Sequence, residues 1–226
     1  MREDIISNHF AVLHERIRRA AENSQRDANS ISLLAVSKSK PVELIQQAYA
    51  CGQRRFGENY PQEALEKIAG CKQLHGIEWH FLGRIQSNKC KTLARHFDWV
   101  QSVDRLPIAQ ALSRHRAPKQ AVLNVLLQIN PDGEVSKGGV APEDAASLAH
   151  RLSALPGIQL RGLMTIPQPQ ARLERMRTSF LVVKQVYEQL QQSGFALDTL
   201  SMGMSQDFEI AIEAGATMIR VGTALF

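Results

Sequence analysis

The sequence predicts an α/β protein: one (β/α)8 TIM-type barrel carrying an extra N-terminal helix. Short apolar, β-rich runs alternate with stretches of helical period along all 226 residues. The runs number eight, about 28 residues per unit, a close fit to a barrel of this kind. A doubly wound open sheet also reads as alternating strand and helix. Here, however, no G-x-G-x-x-G follows the first run, where Ser37-Lys38-Ser39-Lys40-Pro41 stands.

In chain order, an amphipathic helix over about residues 4–22 comes first and is expected to cover wall area beside the last strand. The strand runs are 31–36, 54–57, 78–82, 98–101, 122–129, 158–164, 199–201 and 217–221. Pro41 and Pro61 sit at first-turn positions, where proline's missing N–H costs nothing. Glu143 and Asp144 after Pro142 put acid where a helix dipole favours it. The longest helix should fill 170–192 and stop at Gly194 as a C-cap. With no linker-like segment, residues 1–226 read as a single domain.

Composition narrows the class. Hydrophobic residues make up 44% of the chain, charged 22% and aromatic 6%, as in a globular protein. No window approaches a membrane span, and Met1-Arg2-Glu3-Asp4 leads into no apolar signal core. Cys51, Cys71 and Cys90 are odd in number and lack C-x-x-C spacing, so they read as small hydrophobes in a reducing, cytoplasmic compartment, without a metal site. A net charge of +5 hints at an anionic ligand, although a surplus of that size is usually a solvated surface. A nucleic-acid binder built on Arg84, Lys89, Lys91 and Arg95 ranks low, because aromatics are few and no recognition motif is present.

In a barrel the working face lies at the C-terminal strand ends. Lys38 closes the run Leu33-Leu34-Ala35-Val36 and shares a strand face with Leu34 and Val36. Held among apolar groups, its amine would lose its proton more readily and become a nucleophile. The alternative is an ordinary solvated lysine, a description that suits Lys40 better. Ser201-Met202-Gly203-Met204-Ser205 precedes a helix expected near Gln206 with Ser205 as N-cap, and free N–H groups there would attract a phosphate. Gly222-Thr223 offers a second close backbone approach, and these segments follow strands seven and eight, where barrels often hold phosphate. An amine opposite such a cradle suggests a phosphorylated aldehyde. Arg220, two residues before Gly222, could salt-bridge inside the barrel or set a guanidinium against an aromatic nitrogen.

Taken together, Leu34-Ala35-Val36-Ser37-Lys38, Phe56-Gly57-Glu58-Asn59-Tyr60, Trp79-His80-Phe81-Leu82-Gly83 and Gln86-Ser87-Asn88-Lys89 resemble the pyridoxal phosphate homeostasis proteins, the PROSC or YggS type. The match continues through Gly162-Leu163-Met164, Ser201 to Asp207, and Ile219-Arg220-Val221-Gly222-Thr223. The resemblance implies a barrel of the alanine racemase N-terminal domain kind, with pyridoxal 5'-phosphate (PLP) as an internal aldimine on Lys38. By position, Arg220 would face the pyridine nitrogen, Ser205, Gly222 and Thr223 would hold the phosphate, and Asn59, Met164 and His80 would lie beside the ring. Lys137 recurs in the family and reads here as an exposed loop residue. Members of the family usually continue past Phe226 with a glycine and a short basic tail.

Racemisation needs an acid/base on each face of the substrate carbon. Related racemases take the second one from an additional β domain, which this chain does not show; Tyr60 and His80 are the nearby candidates. The expected function is therefore a PLP carrier in vitamin B6 homeostasis without dedicated turnover. It is expected to be a monomer, with PLP-dependent apoenzymes as partners and neither nucleic acid nor membrane. The alternative is a single-domain fold-type III enzyme such as an amino-acid racemase.

Overall fold

Strand β1 (Ser32–Val36) pairs in parallel with β2 (Arg55–Glu58) on one side and with β8 (Met218–Val221) on the other, which closes the barrel. Between them β3 (Glu78–Phe81), β4 (Trp99–Val103), β5 (Leu123–Ile129), β6 (Ile158–Thr165) and β7 (Thr199–Ser201) follow in chain order, all parallel. This is a computed structural model, and it describes residues 2–134, 137–167 and 172–226. All eight expected strands form, with ends shifted by one or two residues.

Alternation along the strands divides the apolar residues into two sets. Leu33, Ala35, Phe56 and Phe81 face outward into the main core beneath the helices α2 (Val42–Ala50), α3 (Pro61–Gly70), α4 (Cys90–His96), α5 (Leu106–His115), α6 (Ala145–Ser153) and α7 (Leu173–Gln192). Each helix supplies a stripe of helical spacing, such as Ile108, Ala109 and Leu112 of α5. Full burial of such a side chain is worth about 1.5–3 kcal/mol. Inside the barrel sit two smaller clusters: Leu34, Leu82 and Met218, and Trp99, Leu126 and Met164.

Helix α1 (Arg2–Asn23) covers the wall as expected. Ile6, Phe10, Leu13 and Ile17 are buried, and Arg16 bonds Glu209 on α8 (Phe208–Glu213) while its guanidinium lies 4.5 Å above the Phe208 ring. His9 Nδ1 lies 3.0 Å from Leu225 O, fastening α1 to the segment after β8. Helix α7 ends at Gln192, with Gly194 at φ 91°. Its expected first residues, Gln170 and Ala171, lie outside the described residues.

Candidate functional site

At the mouth, β1 ends at Val36 and the chain turns at once. Lys40 N donates to Ser37 O at 3.0 Å, with Ser39 in the left-handed region at φ 59°. Lys38 is the second residue of this turn and is exposed. The expectation of a strand lysine among apolar neighbours is corrected: the ladder stops at Ser37, whose N–H still donates to Gly57 O at 3.0 Å while polar side chains take its other groups. Its hydroxyl donates to Glu58 Oε1 (2.6 Å), and its carbonyl accepts from Lys67 Nζ (2.6 Å). The two turn lysines divide in the reverse of the expected way, because Lys40, read as the solvated one, is half-buried. Lys40 Nζ donates to Phe226 O at 3.0 Å, whereas the Lys38 amine has no hydrogen-bond partner among the described residues.

Sequence reasoning missed the clamp beneath this turn. Lys67, buried on α3, bonds Glu58 Oε1 at 2.8 Å and also Glu63, one helical turn earlier. Glu63 Oε1 in turn accepts from Ser39 N at 2.5 Å. Burial pushes the Glu58 carboxyl up in pKa, and its bonds to Lys67 and Ser37 pull the other way. The available signal was the acid–base pair Glu63 and Lys67 at helical i,i+4 spacing.

Across the mouth, the loop after β7 differs from expectation. Helix α8 begins at Phe208, not Gln206, and has only six residues. Ser205 therefore lies in a turn and caps nothing. The buried Asp207 carboxylate takes the Met204 N–H instead, which ties up the loop before the helix starts. Gly203 has φ 93°, and a Cβ there would stand 2.9 Å from Phe208 Cα and 2.6 Å from Ala211 Cβ, so the loop closes down onto α8. Arg220 N donates to Gly203 O at 2.9 Å, bringing this loop beside the end of β8. The backbone N–H groups of Ser205, Gln206, Gly222 and Thr223 find no acceptor among the described residues. These uncommitted donors suit an anion, as would a phosphate cradle made of turns rather than a helix end.

Arg220 points into the barrel and is buried. Nη1 donates to Ser201 Oγ and Nη2 to Thr165 O, each at 2.8 Å. Burial lowers its pKa to about 10, with Asp207 opposing the shift from a distance. Asn59 is half-buried at the end of β2. Met164 and His80 are fully buried, in the packed layer below the opening. His80 is committed: Nδ1 meets Gln101 Nε2 at 3.0 Å, and its ring stacks on Trp99 at 5.1 Å. Lys137 is corrected from exposed to half-buried, because its amine reaches the carbonyls of Ile166 (3.2 Å) and Pro167 after β6. Its neighbour Ser136 lies outside the described residues.

The residues present thus offer a free primary amine, a buried guanidinium and uncommitted N–H donors round one opening. That donor set fits an anionic aldehyde with a ring between its two ends.

The family described as alanine racemase, N-terminal domain, matches residues 12–226. A pyridoxal phosphate homeostasis protein of Pseudomonas aeruginosa is 50% identical over 221 residues, covering 98% of this chain and 94% of its own. The protein of that name in Escherichia coli K12 is 44% identical over 226 residues, covering 98% and 95%. Among solved structures, PipY of Synechococcus elongatus with PLP bound superposes with a TM-score of 0.86 at 38% identity, covering 98% of this chain and 99% of its own. The alanine racemase of Corynebacterium glutamicum shares the fold at 16% identity and a TM-score of 0.72, over 99% of this chain and 60% of its own.

Proposed function

The chain belongs to the alanine racemase N-terminal domain family and, within it, to the pyridoxal phosphate homeostasis proteins; we propose that it holds PLP reversibly on Lys38 and buffers it for other proteins. The observation that carries this reading is the exposed Lys38 amine, left without a partner on a turn that Glu58, Glu63 and Lys67 hold. Bound PLP supplies an aldehyde that a primary amine captures reversibly. Lys38 would hold the group through its Nζ, in a linkage that water can reverse. Ser205, Gly222 and Thr223 hold the phosphate. Arg220 would face the ring nitrogen and would keep it unprotonated, because a second positive charge so close is costly. Asn59 borders the ring, and Met164 and His80 support it from below.

The same residues argue against dedicated turnover. With its nitrogen unprotonated, the ring is a weak electron sink. A racemase also needs a second acid/base, and neither candidate serves. His80 is fully buried and bonded to Gln101, and Tyr60 is 59% exposed with no hydrogen bond among the described residues. The reading is of a cytoplasmic monomer that exchanges PLP with PLP-dependent apoenzymes. Among the described residues no helix is long and apolar enough to cross a membrane.

Titration of the purified protein with PLP, followed by visible absorbance, tests the reading. Unaltered protein should develop a new band that Lys38→Ala lacks, and Ser205→Ala with Thr223→Ala should weaken binding by about 1–3 kcal/mol. Steady turnover of D- or L-amino acids, lost with Lys38→Ala, would replace the carrier with the racemase.

A further inference from the structure

Four polar side chains form a hydrogen-bonded chain through the barrel interior. Arg220 Nη1 on β8 donates to Ser201 Oγ on β7 at 2.8 Å, and Ser201 Oγ donates to Gln101 Oε1 at 2.7 Å. Gln101, on β4, reaches across the interior to make that bond, and its Nε2 meets both Met218 Sδ (3.2 Å) and His80 Nδ1 (3.0 Å). All four polar residues are buried, three of them with no measurable exposure.

The directions of these bonds are fixed by chemistry. A thioether sulfur only accepts, so the Gln101 amide must turn its NH2 toward Met218 and His80. His80 Nδ1 is then an acceptor, and its proton sits on Nε2, which faces Glu78 Oε2 at 3.7 Å. Gln101 Oε1 in turn takes the Ser201 proton, which leaves the Ser201 lone pairs for the guanidinium. A reversed amide would present NH2 to Ser201 and withdraw that acceptor. Burial also favours neutral His80, lowering its pKa against the pull of Glu78.

We infer that Gln101 and Ser201, oriented by His80, are positioning residues that aim the Arg220 guanidinium at the ring nitrogen of PLP. This rests on the placement of PLP proposed above. A guanidinium has five N–H donors and would turn among them if Thr165 O alone held it. The chain removes that freedom at one nitrogen, so the guanidinium keeps one orientation. Gln101 and Ser201 thereby act on the electronic state of a ring that they do not touch.

The test uses the full chain loaded with PLP labelled with 15N in the ring. Unaltered protein should show the resonance of an unprotonated pyridine nitrogen. In Gln101→Met, which keeps length and removes all three Gln101 bonds, and in Ser201→Ala, the resonance should move toward the protonated position. The Lys38-dependent absorbance should persist in both variants. An unmoved nitrogen resonance in variants that show the absorbance overturns this inference and leaves the PLP reading standing. No absorbance in unaltered protein removes both. A second measurement needs no variant: the histidine 15N–1H spectrum should show His80 protonated at Nε2 alone near neutral pH. A proton on Nδ1 overturns the inference, because it would face the Gln101 NH2.

Discussion

Lys67 Nζ lies 2.6 Å from the carbonyl oxygen of Ser37, so a buried ammonium on α3 holds the residue immediately before Lys38. The same nitrogen bonds Glu58 and Glu63, and Glu63 also takes the Ser39 N–H on the other side of the turn. The turn that presents the Lys38 amine is therefore gripped at both flanks, and its φ 59° residue stays in place without glycine.

Lys67→Met should destabilise the fold by about 3–5 kcal/mol, because it strands the Glu58 carboxylate in a buried site. The double variant Lys67→Met with Glu58→Leu should recover most of that loss, since neither charge is then left alone. Urea unfolding of the three proteins measures both. Equal losses in the single and double variants would show that the cost comes from packing and not from the unpaired charge.

Acid should expose the burial of His80. Its folded pKa lies below the ordinary value of about 6.5, chiefly because burial opposes the imidazolium. Below that ordinary value the unfolded chain takes up a proton that the folded protein refuses. Stability contributed by neutral His80 is thus complete above about pH 6.5 and falls as pH drops toward the folded pKa, by up to about 1.4 kcal/mol per pH unit. His80→Phe retains an aromatic ring against Trp99 and should flatten this part of the profile. Unfolding free energies between about pH 7 and pH 5 in both proteins give the slopes. Parallel slopes would mean that His80 titrates alike in both states.

Gly203→Ala should cost about 1–3 kcal/mol and weaken phosphate-side binding together. The added methyl meets the Phe208 backbone at 2.9 Å in a conformation that L-residues avoid, so relief requires moving the loop that carries the Ser205 and Gln206 N–H groups. Thermal unfolding and PLP titration read the two effects. Loss of stability with unchanged affinity would detach this loop from the binding site.

The barrel was legible because each strand announces itself locally, and α1 because its apolar stripe repeats at helical spacing. Local pattern also located the turn after β1 and the loops after β7 and β8. It failed where other polar groups claim the backbone. Ser205 has the right chemistry for an N-cap, yet the Asp207 and Phe208 N–H groups it would accept both donate to Met204 O, and the helix starts only at Phe208. Lys38 follows strand parity in the sequence, but Lys67 takes the Ser37 carbonyl that would carry the ladder on, and the strand ends first. The interior chain was hidden for a different reason. His80, Gln101, Ser201 and Arg220 sit on four strands, up to 140 positions apart in the chain, and meet only because the sheet closes. A polar pair within an apolar strand, as in Val100-Gln101-Ser102-Val103, marks buried polar positions but names no partner.

Borohydride reduction of the PLP-loaded protein, followed by peptide mass mapping, bears most directly on the amine at the barrel mouth. The reduced phosphopyridoxyl group should be found on Lys38 and be lost with Lys38→Ala. Label carried chiefly by Lys40, Lys67 or Lys137 in the unaltered protein would contradict the account.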